Sequence, residues 1–138
     1  MPASNAIIVG TDLSPHTITI IGEGLRLARA LQGHLLLVHA VEPIEDPSQA
    51  DGEIRAFHDQ LIDSAKSKLR AQLQEWSEDV ELQTSVELGS RVEVLVRLVR
   101  EREARMLVMG SPFRGSGPPV GIGLQLMARC PCPVVIVP

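Results

Sequence analysis

Tyrosine is absent from this sequence, and one tryptophan and two phenylalanines are its only aromatic residues. Single-stranded nucleic acids stack their bases on aromatic side chains, and duplexes are held through clustered lysine and arginine. With almost no stacking surface, a net charge of -4 and no basic run, the chain is not expected to bind DNA or RNA. Long apolar runs are missing too. No stretch approaches the roughly 20 residues that a helix needs to cross a bilayer. The N-terminal MPASNAIIVG has no basic region and no long apolar core of the kind that marks a signal peptide. A cytoplasmic protein with no membrane partner is therefore expected. Cysteine is scarce: Cys130 and Cys132 flank a proline in CPCP. Their spacing is one residue short of the redox C-x-x-C pattern, and two thiolates without nearby histidines do not complete a tetrahedral zinc site. Buried, reduced thiols and no metal are the expectation.

What the chain does have is apolar side chain in regular order. At 138 residues and 44% hydrophobic content it fills one sizeable core, so residues 1–138 are read as a single domain. AIIVGT (6–11) is a short β-branched run, a strand buried on both faces. Ser14 and Pro15 then form a helix start, a capping hydroxyl followed by a ring whose missing N–H costs nothing there. Ile18, Ile21, Leu25, Ala28 and Leu31 follow at helical spacing, with Gly22 and Gly24 as points of close approach and Gly33 as the stop. HLLLVHAV (34–41) is a second buried strand. From about Asp51, Ile54, Phe57, Leu61, Ala65, Leu69, Leu73 and Trp76 give a long helix one continuous apolar stripe.

VELQTSVEL (80–88) alternates apolar and polar residues, which suits a sheet edge with one wet face. Ser90 and Glu93 make a capping box that opens a helix carrying Val92, Leu95, Val96 and Val99. RMLVMG (105–110) is a further buried strand, a short helix runs from about Gly121 to Arg129, and PVVIVP (133–138) ends the chain as a strand. Strands and helices alternate throughout, which implies an open α/β fold with a parallel sheet and helices on both faces.

Ligands of such sheets settle beyond the carboxyl ends of the strands, where the strand order reverses. Asp12 follows the first strand, and GSPFRGSGPPVGIGL (110–124) follows the fourth. A carboxylate at Asp12 can accept hydrogen bonds from a ribose hydroxyl or an adenine amino group. Small residues opposite let backbone N–H groups approach a phosphate. Each feature has a plainer reading: Asp12 can help to cap the first helix, although Ser14 is better placed, and glycine-rich loops alone are weak evidence. Arg114 reads as solvated, His16 as a surface residue, and His34 and His39 lack partners for a metal. No Ser-His-Asp set and no carboxylate pair is in position, so no catalysis is expected.

IIVGTDLSPHT, HLLLVHAV, MLVMGSP and ARCPCPVVIVP stand in an order and spacing that resembles the universal stress protein family across nearly the whole chain. The resemblance implies a five-stranded parallel sheet in the order 3-2-1-4-5. It also implies an adenine-nucleotide crevice lined by Asp12, the backbone of Ala40, and Met109, Gly110, Ser111, Gly115, Gly121 and Gly123. Family members that bind ATP read Gly, two residues, Gly, nine residues, then Gly and Ser or Thr after strand 4. Here Gly110 and Gly123 fit the first and third glycines, but Phe113 stands at the second and Leu124 at the hydroxyl. A phenyl ring takes space that a phosphate-cradling backbone needs, Leu124 offers no hydroxyl, and Pro112, Pro118 and Pro119 carry no N–H. Arg105, where the family commonly has an aspartate, is read as part of a surface turn.

The order 3-2-1-4-5 puts Val134, Val135, Ile136 and Val137 in an edge strand that is apolar on both faces. Such an edge calls for a cover, and the same strand of a second copy supplies one. The resemblance thus implies a non-catalytic stress-response protein that works as a homodimer through residues 133–138 and through protein contacts, without tight ATP binding. The alternative is an ATP- or other adenine-nucleotide-binding module whose occupancy switches the 110–124 loop.

Overall fold

The computed structural model describes residues 5–73, 79–110 and 122–138. Five strands, β1 (Ala6–Gly10), β2 (His34–Val41), β3 (Leu82–Leu88), β4 (Met106–Gly110) and β5 (Val134–Val137), alternate with four helices, α1 (Thr17–Leu31), α2 (Gly52–Leu73), α3 (Arg91–Glu101) and α4 (Ile122–Arg129). All strand pairs are parallel and the sheet order is β3-β2-β1-β4-β5, as expected.

The continuous apolar runs are explained by two cores, one on each face of the sheet. Ile8, Leu36, Val38, Leu107 and Met109 pack under Val92, Leu95, Val96 and Val99 of α3 and Leu126 of α4. Ile7, Val9, Leu35, Leu37 and Val108 pack under Ile20, Ile21, Leu25 and Ala28 of α1 and Leu69 of α2. Successive side chains of a strand point to opposite faces, so a strand covered on both sides has no place for a polar residue. α1 sits so close to the sheet that a Cβ on Gly24 would come within 2.6 Å of Val9 Cγ2, which bears out the close approach read at that glycine.

The helix ends differ in detail from the sequence reading. α1 begins at Thr17, not at Ser14–Pro15, and no side chain caps it; the Ser14 carbonyl accepts from the Thr17 N–H at 3.0 Å instead. Pro15 therefore belongs to the turn. Ile18 is 49% exposed, because the packed face of α1 runs through Ile20, Ile21, Gly24, Leu25 and Ala28. The left-handed residue that ends this helix is Gln32, with φ of 54°. Gly33 is required for a different reason: a Cβ there would lie 2.3 Å from the Asn5 carbonyl oxygen.

In α2 the apolar stripe is interrupted. Phe57 is 43% exposed and its neighbour His58 is buried, where its Nε2 accepts from the Ile44 N–H at 3.2 Å. Asp51 caps this helix through Oδ1, which accepts from the Ile54 N–H at 3.0 Å; Trp76 lies outside the described residues. Ser90 caps α3 as read, its Oγ accepting from the Glu93 N–H at 3.2 Å. The Glu93 carboxylate pairs with Arg129 of α4, a contact that joins the two helices over the same face. Cys130 and Cys132 are half-buried rather than buried, free thiols whose sulfurs share a hydrogen bond at 3.5 Å and form no disulfide.

Candidate functional site

β1 and β4 are neighbours, paired through Ile8↔Leu107 and Val9↔Val108. The chain leaves β1 for α1 on one face, whereas Leu126 of α4, after β4, packs on the other. The strand ends therefore open a crevice at the point where the winding reverses, the place where ligands of open α/β sheets bind. Asp12 comes off one side of it and Gly110 off the other.

The turn after β1 is fixed by Thr11, which is buried. Its N–H donates to the Val38 carbonyl at 3.0 Å, and its own carbonyl accepts from His39 Nδ1 at 2.9 Å. A carbonyl can only accept, so this contact places the proton of the imidazole on Nδ1. The Thr11 hydroxyl meets that of Thr17 and accepts from the Leu13 N–H at 2.9 Å. These bonds hold Leu13 in the left-handed region, at φ of 65°, a conformation that costs a leucine about 1–2 kcal/mol. The strain turns the chain sharply and leaves the Asp12 side chain exposed at the rim.

Asp12 Oδ1 accepts from the Ser14 N–H at 2.9 Å. The sequence reading is reversed here, since the aspartate braces the turn and the serine does not cap the helix. Partial burial pushes the Asp12 carboxyl upward, but hydrogen bonds from the Ser14 side chain and backbone and the charge of Arg91 outweigh it. The group is held below the usual aspartate range. It is thus an ionised, acceptor-only group at neutral pH, suited to hydroxyl or amino donors.

On the other side, Gly110 pairs with Val137 of β5. A Cβ on it would stand 3.2 Å from Ile20 Cδ1 and 3.6 Å from His16 Cδ2, so glycine lets the start of α1 lie against the strand end. His16 is not a free surface residue: it is half-buried, and its Nε2 donates to the Val137 carbonyl at 3.4 Å. Met109 and Ala40 are buried, with side chains in the core beneath α3 and α4, so each offers the crevice its backbone alone. Gly123 lies in α4, while Ser111, Gly115 and Gly121 lie outside the described residues, as do Phe113, Arg114 and the three loop prolines. Leu124, on α4, is 38% exposed.

The structure thus brings Asp12, Ala40, Met109 and Gly110 to one end of the sheet. It adds four residues that the sequence did not single out for the site: Thr11, Thr17, His39 and Arg91. Two threonines six residues apart carry no periodic signal, and His39 is informative only once its partner is a backbone carbonyl.

A model of the universal stress protein family matches residues 4–138. No curated protein matches the sequence significantly. Among solved structures, the universal stress protein UspA from Lactobacillus plantarum is similar with a TM-score of 0.81 and 19% identity, over 98% of each chain. A universal stress protein in complex with cAMP has a TM-score of 0.63 and 20% identity, over 98% of this chain and 97% of that one. One from Archaeoglobus fulgidus in complex with dAMP has a TM-score of 0.63 and 15% identity, over all of both chains. At these identities the likeness to solved structures is one of fold.

Proposed function

Because this chain belongs to the universal stress protein family, we propose that it holds an adenine mononucleotide, in preference to ATP, in the crevice between β1 and β4, and acts in the cytoplasm as a non-catalytic stress-response module. The observation that carries this reading is the opposition of Asp12 and Gly110 across the switch point of the sheet. The carboxylate accepts from ribose or base, and the glycine admits a phosphate to the backbone of β4. Two structures of similar fold hold cAMP and dAMP, each with a single phosphate.

Against a triphosphate stand Phe113 and Leu124, at positions where the ATP-binding pattern has a glycine and a hydroxyl, together with the missing N–H groups of Pro112, Pro118 and Pro119. Denaturing freshly purified protein and identifying the released small molecules by mass spectrometry tests the reading. A nucleotide with one phosphate is expected; stoichiometric ATP would overturn it.

A second element of the proposal is the homodimer, through which the module meets its protein partners. Among the described residues β5 ends the sheet with no strand beyond it, and its four residues contribute apolar side chains to both cores. Leu124 and Met127 of α4, the helix leading into β5, are exposed. An apolar edge of this kind is stable in water when another copy covers it.

A further inference from the structure

Cys130 and Cys132 are the only cysteines of the chain, and they stand where α4 gives way to β5. The Cys130 N–H donates to the Leu126 carbonyl at 2.8 Å and closes α4, while the carbonyl of Pro133, next to Cys132, accepts from the Leu107 N–H at 2.9 Å where β4 begins to pair with β5. This is the opposite end of the sheet from the crevice, which opens beyond Gly110 and Val137. Both thiols are free and half-buried, packed against the core beneath α3 and α4, and their sulfurs are 3.5 Å apart. Cys132 has one proton and two acceptors at 3.5 Å, the Cys130 sulfur and the Pro133 carbonyl. Burial first, then its hydrogen bond to Cys130 and the charge of that neighbour, keep the proton on Cys132. The sulfur of this pair that becomes a thiolate, and hence the nucleophile, is that of Cys130.

Two thiols with no third ligand among the described residues make a poor site for zinc or an iron–sulfur cluster, whereas two sulfurs in contact are what a disulfide needs. Closing the bond takes the sulfurs from 3.5 Å to about 2.05 Å. Residues two apart keep their Cα atoms within about 7 Å of each other, a span that a disulfide bridges. From this arrangement we infer that Cys130 and Cys132 form a reversible intrachain disulfide in response to hydrogen peroxide, a modification site independent of the nucleotide crevice. In the first step the Cys130 thiolate attacks one peroxide oxygen, the O–O bond breaks, and the departing hydroxide takes up the proton that Cys130 gave up, leaving water and a Cys130 sulfenic acid. In the second the Cys132 sulfur attacks the sulfenic sulfur, the S–O bond breaks, and the oxygen leaves as water with the Cys132 proton. Two thiols are oxidised and one peroxide is reduced to two waters. A bond across a single proline closes a tight ring, and strained disulfides are the readily reduced ones, so a small dithiol reverses the reaction.

The test is exposure of the reduced full chain to stoichiometric hydrogen peroxide, followed by unfolding in urea with an alkylating agent and measurement of the intact mass. The expected product is a single chain lighter by two hydrogen atoms that takes up no alkyl group, and dithiothreitol should restore two alkylatable thiols. In Cys132→Ser the reaction should stop at a Cys130 sulfenic acid, trapped by a 1,3-diketone probe. Cys130→Ser should be oxidised about tenfold or more slowly than Cys132→Ser, because the thiolate is the nucleophile. Melting curves verify the fold of both variants, and the mass of the parent alone decides whether the disulfide forms. Two thiols still open to alkylation, added oxygen without a disulfide, or a disulfide between two chains would overturn the inference. Oxidation of Cys130→Ser as fast as that of Cys132→Ser would overturn the assignment of Cys130 as the attacking sulfur.

Discussion

The imidazole of His39 donates from Nδ1 to the carbonyl of Thr11 at 2.9 Å, so that the end of β2 holds the turn that carries Asp12. Replacing His39 by leucine keeps much of the volume and removes the donor. The cost to stability should be about 1 kcal/mol, the net worth of one such bond, and affinity for an adenine nucleotide should fall as the Asp12 turn loosens. Urea denaturation and calorimetry on the same variant measure the two effects.

Two glycines separate structural from functional need. In Gly33→Ala the new Cβ would meet a backbone oxygen, that of Asn5, at 2.3 Å, and the His34 N–H to Asn5 bond would have to give way. A loss of about 1–3 kcal/mol is expected in chemical denaturation. At Gly110 the nearest atom is the end of the Ile20 side chain at 3.2 Å, which can shift. Gly110→Ala should therefore fold with a smaller loss, while nucleotide binding falls through narrowing of the crevice.

In the folded chain the Asp12 carboxyl is held below the usual aspartate range. A folded-state value below the unfolded one adds stability above the unfolded value, and that stability is lost as pH falls through the folded one. Acid denaturation of Asp12→Asn should accordingly be shallower below about pH 4 than that of the parent. Nucleotide binding through Asp12 should be insensitive to its titration between about pH 5 and pH 8.

Cys132 shows the opposite sign. Burial first, then its hydrogen bond to Cys130 and the charge of that neighbour, push its thiol from 9.0 to about 12, against a backbone bond from Leu107. Between those values the unfolded chain releases the proton and the folded chain keeps it, so stability drains away as pH rises from 9.0 to about 12. Cys132→Ala should remove this contribution. In the parent at pH 8, alkylation of Cys132 should be slow until urea unfolds the chain, because the thiolate is the nucleophile.

The dimer has its own test. Leu124 and Met127 are exposed at 38% and 41%, so aspartate at both should leave the monomer folded. Sedimentation is expected to give twice the 15.0 kDa of one chain for the parent and a shift toward the monomer for the double variant. A monomeric parent at tens of micromolar would remove the dimer from the account.

The alternation of elements, the three buried central strands and the edge position of β3 were legible in the sequence, because a parallel sheet covered on both faces writes itself as unbroken apolar runs, whereas β3 alternates; β5, the other edge, is itself an unbroken apolar run. The sheet order came from the resemblance. Helix faces were read less well: Ile18 and Phe57 keep helical spacing with core residues yet point outward, because an apolar stripe several turns long is wider than the face that packs. At the site, Asp12 and Ser14 are both good capping residues, and only the observed turn decides which of them braces it. Arg91 looks like any charged residue in a first helical turn. Its buried Nε, without an acceptor among the described residues, is visible only in three dimensions.

The most direct measurement is calorimetric titration of nucleotide-free protein with AMP and, separately, with ATP and magnesium. The account predicts that AMP binds and that ATP binds at least about tenfold more weakly, a difference of about 1.4 kcal/mol. ATP binding as tightly as AMP or tighter would contradict it.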